Sequence, residues 1–229
     1  MTNPSHPHVL DRLLMESGGV EAMVARDSPG HRILTEQERE VSLQATLASR
    51  PAGDVWLFAY GSLIWNPTIH HAEKRVGTIH DWHRSFCLSV TAGRGSPSQP
   101  GLVLALDHGG SCTGVAYRLE PQLAEPELRM LWRREMVSGA YIPRWLPVAD
   151  VAGNRFGHAL AFTIDHAGQQ YAGDLCESEI VRRLSLAAGA LGSAADYLFH
   201  TCEGLRQSGI DDGELEQLAC QVRRCQQGQ

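Results

Sequence analysis

The chain has 229 residues, 43% of them hydrophobic and 20% charged, with a formal net charge of −6 at pH 7. This is the composition of a globular protein with one sizeable core and an appendage, and an acidic balance without a Lys/Arg run excludes the concentrated basic face that nucleic acid requires. The first residues, Met1 to His8, lack the cationic start and apolar centre of a signal peptide, and no later stretch is apolar enough to span a bilayer, so a cytoplasmic protein without membrane insertion is expected.

Residues 1–53 read as a peripheral helical extension that caps the rest of the molecule. Residues 11–25 form one helix that Gly18-Gly19 weakens or breaks. Thr35-Glu36-Gln37-Glu38 is a capping box, and the helix it starts ends near Arg50, just before Pro51. From Asp54 the signals change to short strands separated by turn residues, at 55–60, 75–79, 85–90, 101–107 and 112–119. The loop 91–100, rich in Gly, Ser and Pro, carries no core-forming pattern. A helix follows over 121–137, with Pro121 suited to its first turn, and strands return at 141–148 and 158–164. The last quarter, 177–226, reads as two or three helices with breaks at 189–193 and 208–212. Strands first, one inserted helix, then terminal helices indicate an α+β fold around a strongly bent sheet or barrel, with residues 54–229 as its domain.

Six cysteines without a C-x-x-C pair read as small buried hydrophobes rather than as a metal or disulfide framework. Two local features carry rival chemistry. Gly110-Ser111-Cys112-Thr113-Gly114 has the outline of a nucleophile elbow, but strand rather than helix follows it. His6 with His8, or His70 with His71, are metal-ligand types for which solvated histidines are the simpler account; no metal or cofactor is expected.

Two segments stand out. In VWLFAYGSLIWNP an apolar strand stops at Tyr60-Gly61-Ser62-Leu63 and then resumes. The turn is either a strand-end bulge or a concavity whose main-chain N–H groups hold an anion. In PELRMLWRREMVSGAY, Leu128, Leu131, Trp132 and Met136 follow one helical stripe, and Glu135 falls inside it while Arg129 and Arg133 fall outside. A carboxylate so placed is either a structural ion pair, with Arg144 or Arg84, or a general base whose pKa desolvation raises toward neutrality. Met130 and Val137 on the other side blur the single stripe.

With HRSFCLSVTAGRGSPSQPG, TGVAYRL and ADYLF, these segments resemble the ChaC-type family of glutathione-specific γ-glutamylcyclotransferases, most closely its bacterial branch, over roughly 54–205. The resemblance implies a small mixed β-barrel with flanking and C-terminal helices, no cofactor, and glutathione as the small-molecule substrate. It implies that Tyr60, Gly61, Ser62 and Leu63 bind the γ-glutamyl moiety and that Glu135 is the acid/base. Tyr141 either orients the substrate or is a core aromatic. Eukaryotic members often carry Gly-Gly-Tyr where this chain has Gly139-Ala140-Tyr141. A second carboxylate found upstream in some members has no clean match, since Pro126 stands near that position with Glu125 and Glu127 beside it. A different class of function, a regulatory protein associated with cation transport, is the alternative expectation.

Overall fold

A computed structural model describes residues 10–228. At its centre five strands close into a barrel. β1 (Trp56–Ala59) runs antiparallel to β3 (Gly101–Arg118), β3 antiparallel to β2 (Glu73–Val90), and β2 meets β4 (Tyr141–Ala149) where Thr78 faces Ala149. β4 is antiparallel to β5 (Arg155–Ile164), and parallel pairing of β5 with β1, Trp56 beside Ala159 and Leu57 beside Leu160, closes the ring. β1 is buried along its whole length. It has a neighbour on each edge and cover on both faces, which is why its sequence is a continuous apolar run rather than an alternation.

The four short strands expected between 75 and 119 are the halves of two long ones. β2 and β3 form a single ribbon whose ladder runs from Glu73 opposite Arg118 to Val90 opposite Gly101. The residues that read as turns bend this ribbon without ending it. Asp81 has φ 66°, Gly109 and Gly110 have φ 98° and 65°, and the register shifts between His80 and Trp82. A bulge of this kind increases local twist, so one ribbon serves two sides of a small barrel.

The inserted helix, α5 (Ala124–Glu135), starts later than expected because Pro126 occupies its first turn, where an amide has no helical partner to lose. Leu128, Leu131, Trp132 and Met136 are buried, with the Trp132 ring edge-on to Phe162 at 5.3 Å. Its other face is covered too. Met130 and Val137 pack with Met15, Val20 and Met23 of α1 (Arg12–Glu16) and α2 (Gly19–Asp27), which explains the blurred stripe. The helix expected over 11–25 is split into these two at Gly18, which is left-handed at φ 74°.

α3 (Glu36–Ala48) begins at the complete Thr35–Glu38 capping box, and its Thr46 carbonyl accepts from Trp145 Nε1 at 2.9 Å. After α6 (Glu177–Leu186), a short hairpin of β6 (Ala188–Gly189) and β7 (Gly192–Ser193) leads into α7 (Ala194–Gln207) and α8 (Gly213–Gln226). No helix of the described residues is long and apolar enough to cross a membrane.

All six cysteines are free, but only Cys87, Cys112 and Cys202 are buried; Cys176, Cys220 and Cys225 are exposed and so do not act as core hydrophobes. Cys112 sits mid-strand opposite Ile79, and burial pushes its thiol above the ordinary value. It therefore has neither the geometry of an elbow nor the ionisation of a nucleophile.

Candidate active site

β1 delivers the chain to Gly61, and the expected turn is the start of a single helical turn, α4 (Ser62–Trp65), in which Ile64 N donates to Gly61 O at 2.9 Å and Asn66 N to Ser62 O at 2.8 Å. Leu63 and Ile64 are buried in the core, which is why the apolar run resumes after the glycine. A Cβ on Gly61 would stand 2.7 Å from the Tyr197 hydroxyl. Close approach of that phenol therefore requires glycine here.

Glu135 is the last residue of α5, with its side chain 14% exposed and Oε1 2.9 Å from Arg134 Nε. The Arg134 side chain is 3% exposed. Its Nη2 donates to Ser62 Oγ at 2.8 Å, and its Nη1 to Asn66 O at 2.7 Å and Thr68 Oγ1 at 2.9 Å. One guanidinium thus clamps the end of α5 to α4. Neither Arg144 nor Arg84, the partners expected from sequence, reaches the acid: Arg144 donates to Thr163 Oγ1 and Arg84 pairs with Asp212 at 3.0 Å. Adjacent helical residues ordinarily diverge. Here the helix ends, with Met136 at φ −103°, ψ 21°, and the two side chains converge.

Burial raises the Glu135 pKa above its ordinary value, and the attraction of Arg134 only partly opposes it. Burial also pushes Tyr197 up to about 12, with the Glu135 charge as the next contribution. Tyr60 and Tyr141 are raised well above the ordinary phenol value by burial; the charges of Tyr141 and Glu135 add to this at Tyr60, and those of Glu135 and Tyr197 at Tyr141. These phenols therefore keep their protons. Tyr60 donates to Phe162 O at 2.7 Å and Tyr141 to Leu104 O at 3.3 Å.

A cavity of about 430 Å³ opens over this group, lined by Ser62, Arg134, Glu135, Tyr141 and Tyr197 among others. Its size falls within the range of about 300–1,000 Å³ usual for small-molecule sites. Of the residues singled out in the sequence, Ser62, Glu135 and Tyr141 line it. Tyr60, Gly61 and Leu63 stand behind it: Tyr60 and Leu63 are buried, and the Leu63 carbonyl accepts from Tyr117 at 3.3 Å. Sequence reasoning missed Arg134, although it adjoins Glu135, and Tyr197, whose only signal was its place in ADYLF. It also took the contacts of Ser62 to be main-chain alone. Because Ser62 Oγ is an acceptor for Arg134, Ser62→Ala should lower stability by about 1–3 kcal/mol, the cost of removing a hydrogen bond to a buried charge. It should reduce turnover less than loss of Glu135 does; urea unfolding and steady-state kinetics check both.

Glu127 is structural. Its side chain is 4% exposed and accepts from Arg12 at 2.7 Å, His70 N at 3.1 Å and the His70 ring at 2.9 Å. Burial pushes its carboxyl up, but the hydrogen bonds from Arg12 and His70 outweigh this and leave it below its ordinary value of 4.5. Its contribution to stability is thus present above pH 4.5 and lost as pH falls below it. Glu127→Gln should cost about 2 kcal/mol at neutral pH, little at low pH, and change turnover less than tenfold; unfolding curves at two pH values and steady-state kinetics test this. Glu125 lies on the exposed side, paired with Arg129 at 2.9 Å. His71 packs against the Tyr117 ring at 4.7 Å, and His6 and His8 lie outside the described residues.

The ChaC-like protein family model matches residues 55–225. The chain belongs to the ChaC-like family. It is 44% identical over 189 residues to the glutathione-specific gamma-glutamylcyclotransferase of Escherichia coli (strain K12), covering 82% of this chain and 81% of that one. It is 30% identical over 158 residues to the human glutathione-specific gamma-glutamylcyclotransferase 1, covering 68% and 71%. A crystal structure of a glutathione-specific γ-glutamyl cyclotransferase from yeast superposes with a TM-score of 0.66 at 20% identity, over 76% of this chain and all of that one. The fold is the small α+β barrel of that structure. The family match leaves out residues 1–54, so the parts of the cavity wall supplied by Leu10, Val20, Met23 and Ser28 come from ahead of the ChaC-like segment.

Proposed function

We propose that the protein is a γ-glutamylcyclotransferase that degrades glutathione to 5-oxoproline and cysteinyl-glycine, with Glu135 as the general acid/base. The observation that carries the assignment of the acid is a carboxylate on the cavity wall, raised in pKa by burial and fixed by Arg134. A base poised near working pH combines a useful ionised fraction with useful proton affinity. The identity to glutathione-specific relatives supports the substrate.

A γ-glutamyl amide brings its own nucleophile. The α-amino nitrogen attacks the γ-carbonyl carbon, a five-membered lactam closes, and the bond to the cysteine nitrogen breaks. The α-ammonium loses two protons in becoming the lactam N–H, and the departing nitrogen gains two in becoming an ammonium. Glu135 takes one and returns it to the departing nitrogen, the other pair is exchanged with solvent, and no enzyme nucleophile or cofactor enters the balance. What remains for the protein is positioning, which is worth several orders of magnitude by itself. The α-ammonium docks on the Glu135 carboxylate. The Ser62 N–H, at the start of α4, takes the α-carboxylate or the tetrahedral oxyanion. In this reading Tyr60, Gly61 and Leu63 set the backbone that presents Ser62, and Tyr141 lines the glutamyl end. Residues 54–229 form the catalytic domain, and residues 1–53 an N-terminal helical extension that completes the cavity wall. We place the reaction in the cytoplasm, a reading supported by exposed free thiols at Cys176, Cys220 and Cys225.

The regulatory role in cation transport has no support in these comparisons, whose relatives bear enzyme names. Incubating the purified protein with glutathione and following 5-oxoproline is the decisive assay. Release of the lactam is expected, and its absence sinks the assignment.

A further inference from the structure

The same cavity carries a second cation. Arg94 sits in the loop 91–100 and lines the cavity with Trp65, Asp196 and His200. Its Nη1 donates to Ser193 O at 3.2 Å, and its guanidinium lies 5.9 Å from the centre of the Trp65 ring. Among the described residues no carboxylate forms an ion pair with it. Asp196 is the acid whose charge it feels, but Asp196 Oδ2 is engaged with Ser193 N, at 3.3 Å, in the capping box of α7. Arg134, the other arginine of the cavity, is consumed by Glu135, Ser62, Asn66 and Thr68.

Arg94 is also held in place. Leu191 N donates to Gly93 O at 2.8 Å, pinning the loop to the β6–β7 hairpin. Gly192 leaves the guanidinium its room, since a Cβ there would be 2.7 Å from Nη1. Burial lowers the pKa of Arg94, and the charges of Tyr197 and Asp196 oppose this only in part. An ordered guanidinium with donors to spare suits a carboxylate, which it grips through paired N–H groups.

We propose that Arg94 is a specificity-determining residue that receives the C-terminal carboxylate of the γ-glutamyl peptide, on the end that leaves as the amine product. The inference rests on the cyclotransferase reading. The α-carboxylate of the glutamyl head is one carbon from the amine on Glu135, and so stays at that end of the cavity, where the Ser62 N–H is one of the groups offered to it. The peptide's other carboxylate is the group still without a cation, and Arg94, presented from the loop 91–100, is the cavity cation that no carboxylate pairs among the described residues.

The test compares glutathione with glutathione amidated at its glycine carboxylate, on the unsubstituted protein, on Arg94→Gln and on Arg94→Lys, reading kcat/KM for 5-oxoproline release. The unsubstituted protein should prefer the free acid by about ten- to hundredfold, the scale of a buried charge-assisted hydrogen bond, and chiefly through KM. Arg94→Gln should erase that preference and Arg94→Lys keep part of it. Equal use of the two substrates by the unsubstituted protein overturns the proposal, whatever the variants do. Equal losses on both substrates in a folded Arg94→Gln overturn it too, because Arg94 would then serve the glutamyl head or the fold. No lactam from either substrate overturns the cyclotransferase reading itself, and this proposal with it.

Discussion

Glu135→Gln is expected to lower kcat for lactam release from glutathione by about 10²–10⁴-fold, the usual contribution of a positioned acid/base, while the protein still folds. Glutamine keeps the shape of the side chain, and its carbonyl oxygen can accept from Arg134 as Oε1 does at 2.9 Å. What it cannot do is take a proton from the α-ammonium. A second readout separates this from general damage. The folded-state pKa of Glu135 lies above its ordinary value of 4.5, so between the two the folded protein holds a proton that the unfolded chain has released. Stability from this group is therefore present below pH 4.5 and declines as pH rises through the raised value. The variant should lack that decline when unfolding is measured across pH. Full turnover in a folded variant would remove Glu135 from the mechanism.

Arg134→Met carries the largest expected loss of stability. Its guanidinium is 3% exposed and binds Glu135, Ser62, Asn66 and Thr68, so deletion leaves a carboxylate and three other acceptors in a dry site. Breaking a buried pair from one side typically costs about 3–5 kcal/mol. The rate should respond separately. Arg134 is what restrains the upward shift of Glu135, so in its absence burial acts unopposed and the acidic limb of the pH–kcat profile moves to higher pH. Denaturant titration and a pH–rate series measure the two effects. A stability loss below about 1 kcal/mol would mean that the pair behaves as a solvated surface pair. An acidic limb that stays in place would mean that another group governs it.

How much of this was legible in the chain depended on whether the signal was local. The Thr35–Glu38 capping box and the α5 stripe are set by contacts three and four residues apart, and both could be read directly. The resemblance of the YGSL and RRE segments to a known family led to the barrel, and it singled out Glu135 as the acid/base proposed above. Strand continuity was misread because Asp81, Gly109 and Gly110 look like ends, and only pairing across the ribbon shows that they are bends. The ion-pair partner was missed because nothing in a periodic pattern says where a helix stops. Tyr197 was missed because its relation to Gly61 spans the whole barrel domain and exists only once α7 is docked.

Glu135, the proposed proton-transfer group, and Arg134, which clamps it, reside on α5, whereas Leu10 and, from α2, Val20 and Met23 belong to the surround. The stretch ahead of the ChaC-like segment therefore shapes part of the cavity wall, while the proposed acid and Arg94 both lie within that segment. Grafting the opening residues of one ChaC-like protein onto another would reshape that wall while leaving Glu135, Arg134 and Arg94 in place.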